Sequence, residues 1–502
     1  MKFLNKFHIP TSNKVILNNL LVAPGVQLGP AELADNERLL RRLNFIKDSR
    51  IHVIPKGDAH DVDLLVITKD VFPLKFDIIP RGVTSSVIGI SNINLVGLGH
   101  HLDNIFIIDD DEPGNLGYDV TYRIQNIRGT FIQGELNYAN TFRKEGVGIR
   151  FFRNFLTPDI RYAGGVEVNY FTRRIPKIFD IATDSIIFVT SLSNVQDMWV
   201  AKAVKSYANP PLNGVKERVR MTIAGRVFRE QYTDRPIIKQ DSNQFYHNRS
   251  LYLFSFGYST RKYFKDFLIR NFGRTEDIPI GNLVQLTGGY EMGEFSNRYY
   301  AGAQIAKGNF IRHFGYLRFD TRVGGFFKNN KFEQSIFRVD ASYFSRLYSI
   351  QFFRVRQFVN LNFTQGFRRN IDELIDINNN NGLRGASSLR LTGTKRLTFS
   401  GETVLFTPLY FAGFRLALFG YVDMGFIESG PRSILAGELY KSYGLGFRLK
   451  NDNLAFSVIQ IRFSFFSDLP INASTRNFRF FTKTNLRLDD FDIKKPDVFD
   501  FR

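Results

Sequence analysis

The feature that most constrains this chain of 502 residues is a succession of segments, from about residue 84 onward, in which apolar and polar residues alternate over roughly 9 to 14 positions. In Gly315 to Val323, Leu317, Phe319, Thr321 and Val323 share one face, and Tyr316, Arg318, Asp320 and Arg322 share the other. In Gln351 to Thr364, Phe353, Val355, Val359, Leu361 and Phe363 oppose Arg354, Arg356, Asn360, Asn362 and Thr364. In Phe414 to Asp423, Phe414, Leu416, Leu418 and Val422 oppose Arg415, Ala417, Tyr421 and Asp423. A soluble sandwich also alternates, but its strands average about five or six residues. Segments near ten residues suit tilted strands crossing about 25 Å of hydrocarbon, with Phe and Tyr at their ends as an interfacial girdle. The pattern predicts an antiparallel transmembrane β-barrel.

Composition narrows the alternatives. No stretch approaches the ~20 consecutive apolar residues of a membrane-spanning helix, and the mean hydropathy of −0.17 suits strands that average a lipid face with a lumen face. With 43% hydrophobic and 15% aromatic residues the chain is not disordered. The absence of cysteine excludes disulfides, thiolate metal sites, iron–sulfur clusters and a cysteine nucleophile. His100 and His101 are adjacent, so on a strand they face opposite ways and cannot chelate one ion together. Phosphate-loop, zinc-protease, nucleophile-elbow and dinucleotide signatures are all missing, so neither a metal, a cofactor nor catalysis is expected. The net charge of +19 comes from arginines spread along the strands, without a basic helix or an aromatic nucleic-acid motif. It reads as a solvated lumen wall with lipid contact at the rims, and no nucleic acid. The first residues, MKFLNKFHIPTSNK, lack the apolar core of a signal peptide.

The first seventy residues differ in texture. Lys2 to Ile9 suits a first strand, Thr11 or Ser12 caps a helix carrying Val15, Ile16, Leu20 and Leu21, and Gly29-Pro30 opens a second with Leu33, Leu40 and Leu43 on one face. Strands Arg50 to Ile54 and Val62 to Ile67 follow, giving β-α-α-β-β. After residue 84 about eighteen candidate strands can be marked. Arg476 to Leu488 reads as the last strand and Asp489 to Arg502 as a tail.

Four features together resemble the Omp85 superfamily of outer-membrane assembly and translocation proteins, which join periplasmic POTRA domains to a sixteen-stranded barrel. The β-α-α-β-β unit resembles one POTRA domain. Ser91 to His100, with Asn94, Gly97 and Gly99, resembles the family's first barrel hairpin. Leu383-Arg384-Gly385 resembles the signature at the tip of the sixth extracellular loop, with Ala386 where an aromatic is usual. Tyr421-Val422-Asp423-Met424-Gly425 resembles the strand motif that receives that arginine. The resemblance implies a POTRA-like domain over 1–75 and a barrel of sixteen strands over 76–502, with a long loop at 366–395. It also implies that Arg384 is held by Glu402, Asp423 and the ring of Tyr421. The residues themselves allow this: Asp423 lies on a polar strand face, and Glu402 shares one with Arg396, Thr398 and Ser400. A guanidinium inside a barrel needs such carboxylates. Read without the resemblance, Arg384 is an exposed loop residue.

The function implied is outer-membrane protein biogenesis: a POTRA sheet edge accepts client strands, and a seam between first and last strands templates their insertion. The location is a bacterial outer membrane, with the N-terminal domain in the periplasm. The partners implied are unfolded outer-membrane proteins or a secreted client, outer-membrane lipid or glycolipid, and accessory lipoproteins. The alternative is a dedicated translocation or secretion pore of the same superfamily. A passive porin fits the strands but not the N-terminal unit or the Arg384 loop.

Overall fold

The computed structural model describes residues 8–501 except 58–60, 81–83, 111, 113, 157–159, 181–184, 210–216, 239–245, 270–271, 273–274, 372, 389, 452–457, 471–472 and 482–488. Most of the expected first strand therefore lies outside the described residues, as does the second half of the expected last one.

Near the N-terminus, helix α1 spans Asn13–Asn18. The Ser12 carbonyl accepts its first N–H groups, from Val15 and Ile16. The helix stops before Leu20, where Asn19 turns its side-chain amide back to the Val15 carbonyl at 2.8 Å. Helix α2 spans Pro30–Arg42, with proline in its first turn, Glu32 near its positive end and Arg41 and Arg42 near its negative end. Leu39 and Leu40 are buried. Strands Ile46–Pro55 and Val62–Asp70 pair antiparallel as a separate two-stranded sheet, both longer than the alternation alone indicated. The core of this unit joins Ile16, Leu40, Leu43, Phe45 and Ile46 to Val71 and to Ile93, a residue of the larger sheet.

That larger sheet has the strand order of a closed barrel of twenty-one segments, running from Leu74–Pro80 round to Phe478–Phe481. Lys331–Ser345 and Tyr348–Ile350 both pair with Phe353–Phe367, so they act as one interrupted strand and, among the described residues, the ring makes twenty passes. This corrects the expected sixteen. Six strands of 7 to 11 residues between Leu74 and Arg153 are followed by long ones, among them Tyr162–Asp180 with 19 residues and Ser185–Asn209 with 25. Length corrects the expectation as well: about 10 residues suffice for a tilted crossing, so the long strands stand clear of the hydrocarbon.

The two faces separate as the alternation requires. On Gly315–Lys328, Phe319 and Val323 are half exposed on the outside, while Tyr316, Arg318 and Asp320 are buried inside. On Arg249–Asp266, Tyr252, Phe254 and Phe256 point out, and Leu251, Leu253, Ser255 and Ser259 point in. A belt of exposed apolar residues around a closed sheet is a hydrocarbon-facing surface. Inside, charges are paired: Arg226 with Asp197 at 2.7 Å, Arg318 with Asp320 at 3.0 Å, Arg356 with Asp266 at 3.0 Å. These three arginines are thus neutralised within the wall.

The N-terminal unit sits against one mouth of the barrel. Arg41 forks onto Asp277 through Nε and Nη2 at 3.0 and 2.9 Å, and Lys265 reaches Glu37 at 3.2 Å. Burial alone would raise the Glu37 carboxyl, but the Ile51 N–H at 3.1 Å, Lys265 and Arg41 outweigh it and hold its pKa below the usual value. Of these three, only Lys265 belongs to the barrel, so its share of the lowering stabilises docking; that share is present above the undocked carboxyl's pKa and lost as pH falls through the lower docked value. Protease protection of the junction should therefore hold from neutrality to about pH 5 and decline below about pH 4. Glu37→Gln should be weaker at neutral pH and flat across that window; an unchanged profile would dissociate Glu37 from docking.

Candidate functional site

The polar faces of two neighbouring strands create the site. In the pair Lys395–Phe411 and Phe414–Glu428, Ser400 lies opposite Asp423 and Glu402 opposite Tyr421. Alternation places all four on the lumen side, with the two carboxylates one cross-strand step apart. The loop between Phe353–Phe367 and Lys395–Phe411 folds down onto them from the mouth opposite the N-terminal unit.

The structure places Arg384 against Asp423, Glu402 and Tyr421. Its Nε and backbone N–H donate to one Asp423 oxygen at 2.7 and 3.1 Å, and Nη2 donates to the other at 2.8 Å. Its Nη1 donates to Glu402 at 2.6 Å, and the guanidinium lies 4.0 Å from the centre of the Tyr421 ring. This is a fork on one carboxylate, a second carboxylate at the side and an aromatic face beneath, the arrangement only arginine's planar group can satisfy. The Asp423 side chain has no exposed surface.

Leu383 and Gly385 explain how the loop reaches so far. Leu383 is fully buried in a cluster with Ile375, Ile377, Leu391, Ile427 and Tyr440. Gly385 takes a φ of +95°, a left-handed conformation that turns the chain back after the arginine. Its carbonyl accepts the Arg476 N–H at 2.8 Å, and Ala386–Ser387 pairs with Ser474–Thr475. At Gly425 a side chain would meet Ile377 at 3.2 Å, so glycine lets the loop lie flat on the strand.

Alternation alone did not single out the supporting residues. Ser400 donates to Asp423 at 2.7 Å, Arg448 places a second cation on Glu402 at 2.7 Å, Ser442 donates to the Arg384 carbonyl at 3.1 Å, and Tyr421 donates to Ser464 at 2.7 Å. Each occupies the polar face of its strand, but nothing in the sequence ranks it above its neighbours. A cavity of about 370 Å³ remains beside the site, lined by Arg338, Asp340, Asn360, Arg396 and Gln460 among others. These groups can hold a loop and solvate a passage; there is no nucleophile–base pair among them.

Asn94, Gly97 and Gly99 lie at the other mouth. They form the turn between Ser85–Leu95 and His100–Asp109, the second and third strands of the ring, because Leu74–Pro80 precedes them; the expected first hairpin is thus one strand late. The Asn94 side chain accepts the Gly99 N–H at 2.7 Å and donates to Thr11 at 2.9 Å, while Ser12 donates its N–H to the Gly97 carbonyl at 2.9 Å. The turn is a dock for the N-terminal unit. His100 contacts the Tyr122 hydroxyl at 2.6 Å and His101 contacts Asp103 at 3.0 Å. Among the described residues no group of three or more His, Asp or Glu is placed to hold a metal.

No family model and no curated protein matches the chain. Among solved structures, BamA from Haemophilus ducreyi lacking POTRA domains 1–3 is similar at 10% identity and a TM-score of 0.39, over 94% of this chain and 81% of that one. CdiB from Acinetobacter baumannii is similar at 12% identity and 0.45, over 93% and 70%. CdiB from Escherichia coli is similar at 10% identity and 0.46, over 93% and 72%.

Proposed function

We propose that this chain is an outer-membrane protein-biogenesis factor of the Omp85 type, which assists insertion of β-barrel clients without chemistry or an energy source. The observation that carries the reading is the loop latch, Arg384 on Asp423, Glu402 and Tyr421, inside a barrel whose other mouth holds a docked α+β unit. A porin needs no such unit, whereas a factor that handles extended chains needs a surface to receive them. The sheet Ile46–Pro55 with Val62–Asp70 offers exposed Ile54, Leu65 and Ile67, suited to an apolar client strand added by backbone pairing. A client edge held there and then offered to the barrel wall never leaves its N–H and C=O groups unpaired in lipid.

The test is the folding rate of an unrelated, urea-denatured outer-membrane protein into liposomes containing this protein. Acceleration of about tenfold, equivalent to ~1.4 kcal/mol off the barrier, is expected. No acceleration, together with transport of one secreted partner, would replace the reading by a dedicated translocation pore.

A further inference from the structure

Among the described residues that follow Phe478–Phe481, 489–501 do not join the sheet. Asp489–Phe501 runs through the lumen, from the mouth beside the N-terminal unit to the opposite one. At the near mouth Arg318 donates to the Asp489 carbonyl at 2.8 Å, and Tyr263 donates to the Asp490 carboxylate at 2.6 Å. Midway, Gln285 donates to the Lys494 carbonyl at 3.3 Å, and Arg226 donates to the Pro496 carbonyl at 3.0 Å and pairs with Asp497. At the far mouth the Phe499 N–H donates to the Tyr300 hydroxyl at 3.0 Å, and Arg369 lies 4.4 Å from the centre of the Phe501 ring.

The wall is shaped for this segment. A side chain on Gly308 would come within 2.7 Å of the Phe491 ring, on Gly257 within 2.8 Å of Ile493, on Gly324 within 3.0 Å of Phe499 and on Gly366 within 2.6 Å of Phe501. Four wall glycines from four strands thus make slots for four apolar side chains of one peptide. Between the slots, Arg261 meets Asp490 and Asp492, and Asp197 meets Lys495 at 2.5 Å. These side-chain bonds and slots, not ladder pairing, hold the segment, so it can leave without breaking the barrel's hydrogen-bonded ring.

We propose that this inner wall is a binding groove for an extended acidic–aromatic peptide, occupied in cis by Asp489–Phe501 as a displaceable plug, and that an unfolded client segment of the same chemistry takes its place. The inference rests on the chain being a membrane barrel that receives unfolded polypeptide, not on whether it inserts or exports it. Release is coupled to the latch, because Phe501 shares one apolar cluster with Ile377 and Leu383 of the Arg384 loop. Tethering keeps the cis peptide at an effective concentration of about millimolar, so a competitor must bind well or arrive already attached to the protein.

The test uses a variant lacking residues 489–502, its folding verified by heat-modifiable gel mobility, and a fluorescent synthetic peptide of that sequence. The truncated barrel should conduct at least fivefold more than the full chain in planar bilayers. Added peptide should bind it in detergent and return the conductance to the full-chain level; the same peptide with its Phe and Ile replaced by Ser should do neither. A folded truncated barrel with unchanged conductance and no peptide binding overturns the proposal. Should truncation prevent folding, the full chain carrying Asp197→Cys with Lys495→Cys, otherwise cysteine-free, should cross-link with a short bismaleimide. Excess peptide should at least halve the yield; absence of the cross-link, or a yield indifferent to peptide, overturns the proposal. Neither readout involves client insertion, so the plug and the biogenesis role fail separately.

Discussion

Replacing Arg384 with alanine is expected to release the loop 368–394 and lower the stability of the folded barrel by about 3 to 5 kcal/mol, the usual cost of orphaning a buried charge. Asp423 bears most of it, because its side chain is wholly buried and would keep only Ser400 of the partners described above. Glu402 suffers less, since Arg448 still holds its other oxygen. Removing both charges, as in Arg384→Ala with Asp423→Ala, should therefore recover part of the loss, and a double-mutant cycle should show coupling of about 1 to 3 kcal/mol. Arg384→Lys should fall between, because an ammonium cannot fork onto Asp423 while covering the Tyr421 ring. The measurements are the midpoint of heat-modifiable gel mobility and the rate of protease cleavage within the loop. A single variant as stable and as protected as the parent would show that the loop is held by its apolar cluster alone.

Gly97→Val is expected to detach the N-terminal unit from the barrel. At Gly97 φ is +72°, and a side chain there would stand 2.4 Å from the Pro10 carbonyl oxygen. A β-branched residue in the left-handed region costs roughly 1–2 kcal/mol before any clash, and a backbone oxygen cannot rotate aside as a flexible side chain can. Gly99→Val should act similarly, because φ is +71° and its side chain would press on the Val15 and Phe45 contact at 3.1 Å. The barrel should still fold, as the turn closes a single hairpin, whereas cleavage near residues 70–74 should accelerate more than tenfold and, under the biogenesis role proposed above, client folding should fall to the unassisted rate. An undiminished client effect with a freed N-terminal unit would separate docking from function.

Much of this architecture was legible because alternation is a local property. Arg318, Asp320 and Asp423 face inward for the same reason that Phe319 and Val422 face outward, and no partner need be known to say so. What was not legible depends on distance in the chain. The number of passes cannot be read from strands whose ends lie in water, because nothing in Ser185–Asn209 marks where hydrocarbon stops and a free-standing hairpin begins. Motif resemblance singled out Arg384, Glu402, Tyr421 and Asp423, but not the supporting serines or Arg448, since one polar position on a lumen face looks like the next. The tail was read as an appendage. Its signal was present in the spacing of Phe491, Ile493, Phe499 and Phe501 among aspartates, yet the complementary information sits in glycines of four separate strands.

The unequal strand lengths also bear on the surrounding lipid. At about 3.3 Å per residue and a tilt near 45°, a seven-residue strand such as Leu74–Pro80 rises only about 16 Å, while an eighteen-residue strand such as Arg249–Asp266 rises about 42 Å. The wall is thus a collar cut obliquely, low along the six strands between Leu74 and Arg153 and tall across from them. Acyl chains bordering the low side must shorten or splay, which raises the local elastic energy of the bilayer and lowers the work of opening a defect there. The geometry thus gives a bilayer around this barrel a weak point at one position on the circumference.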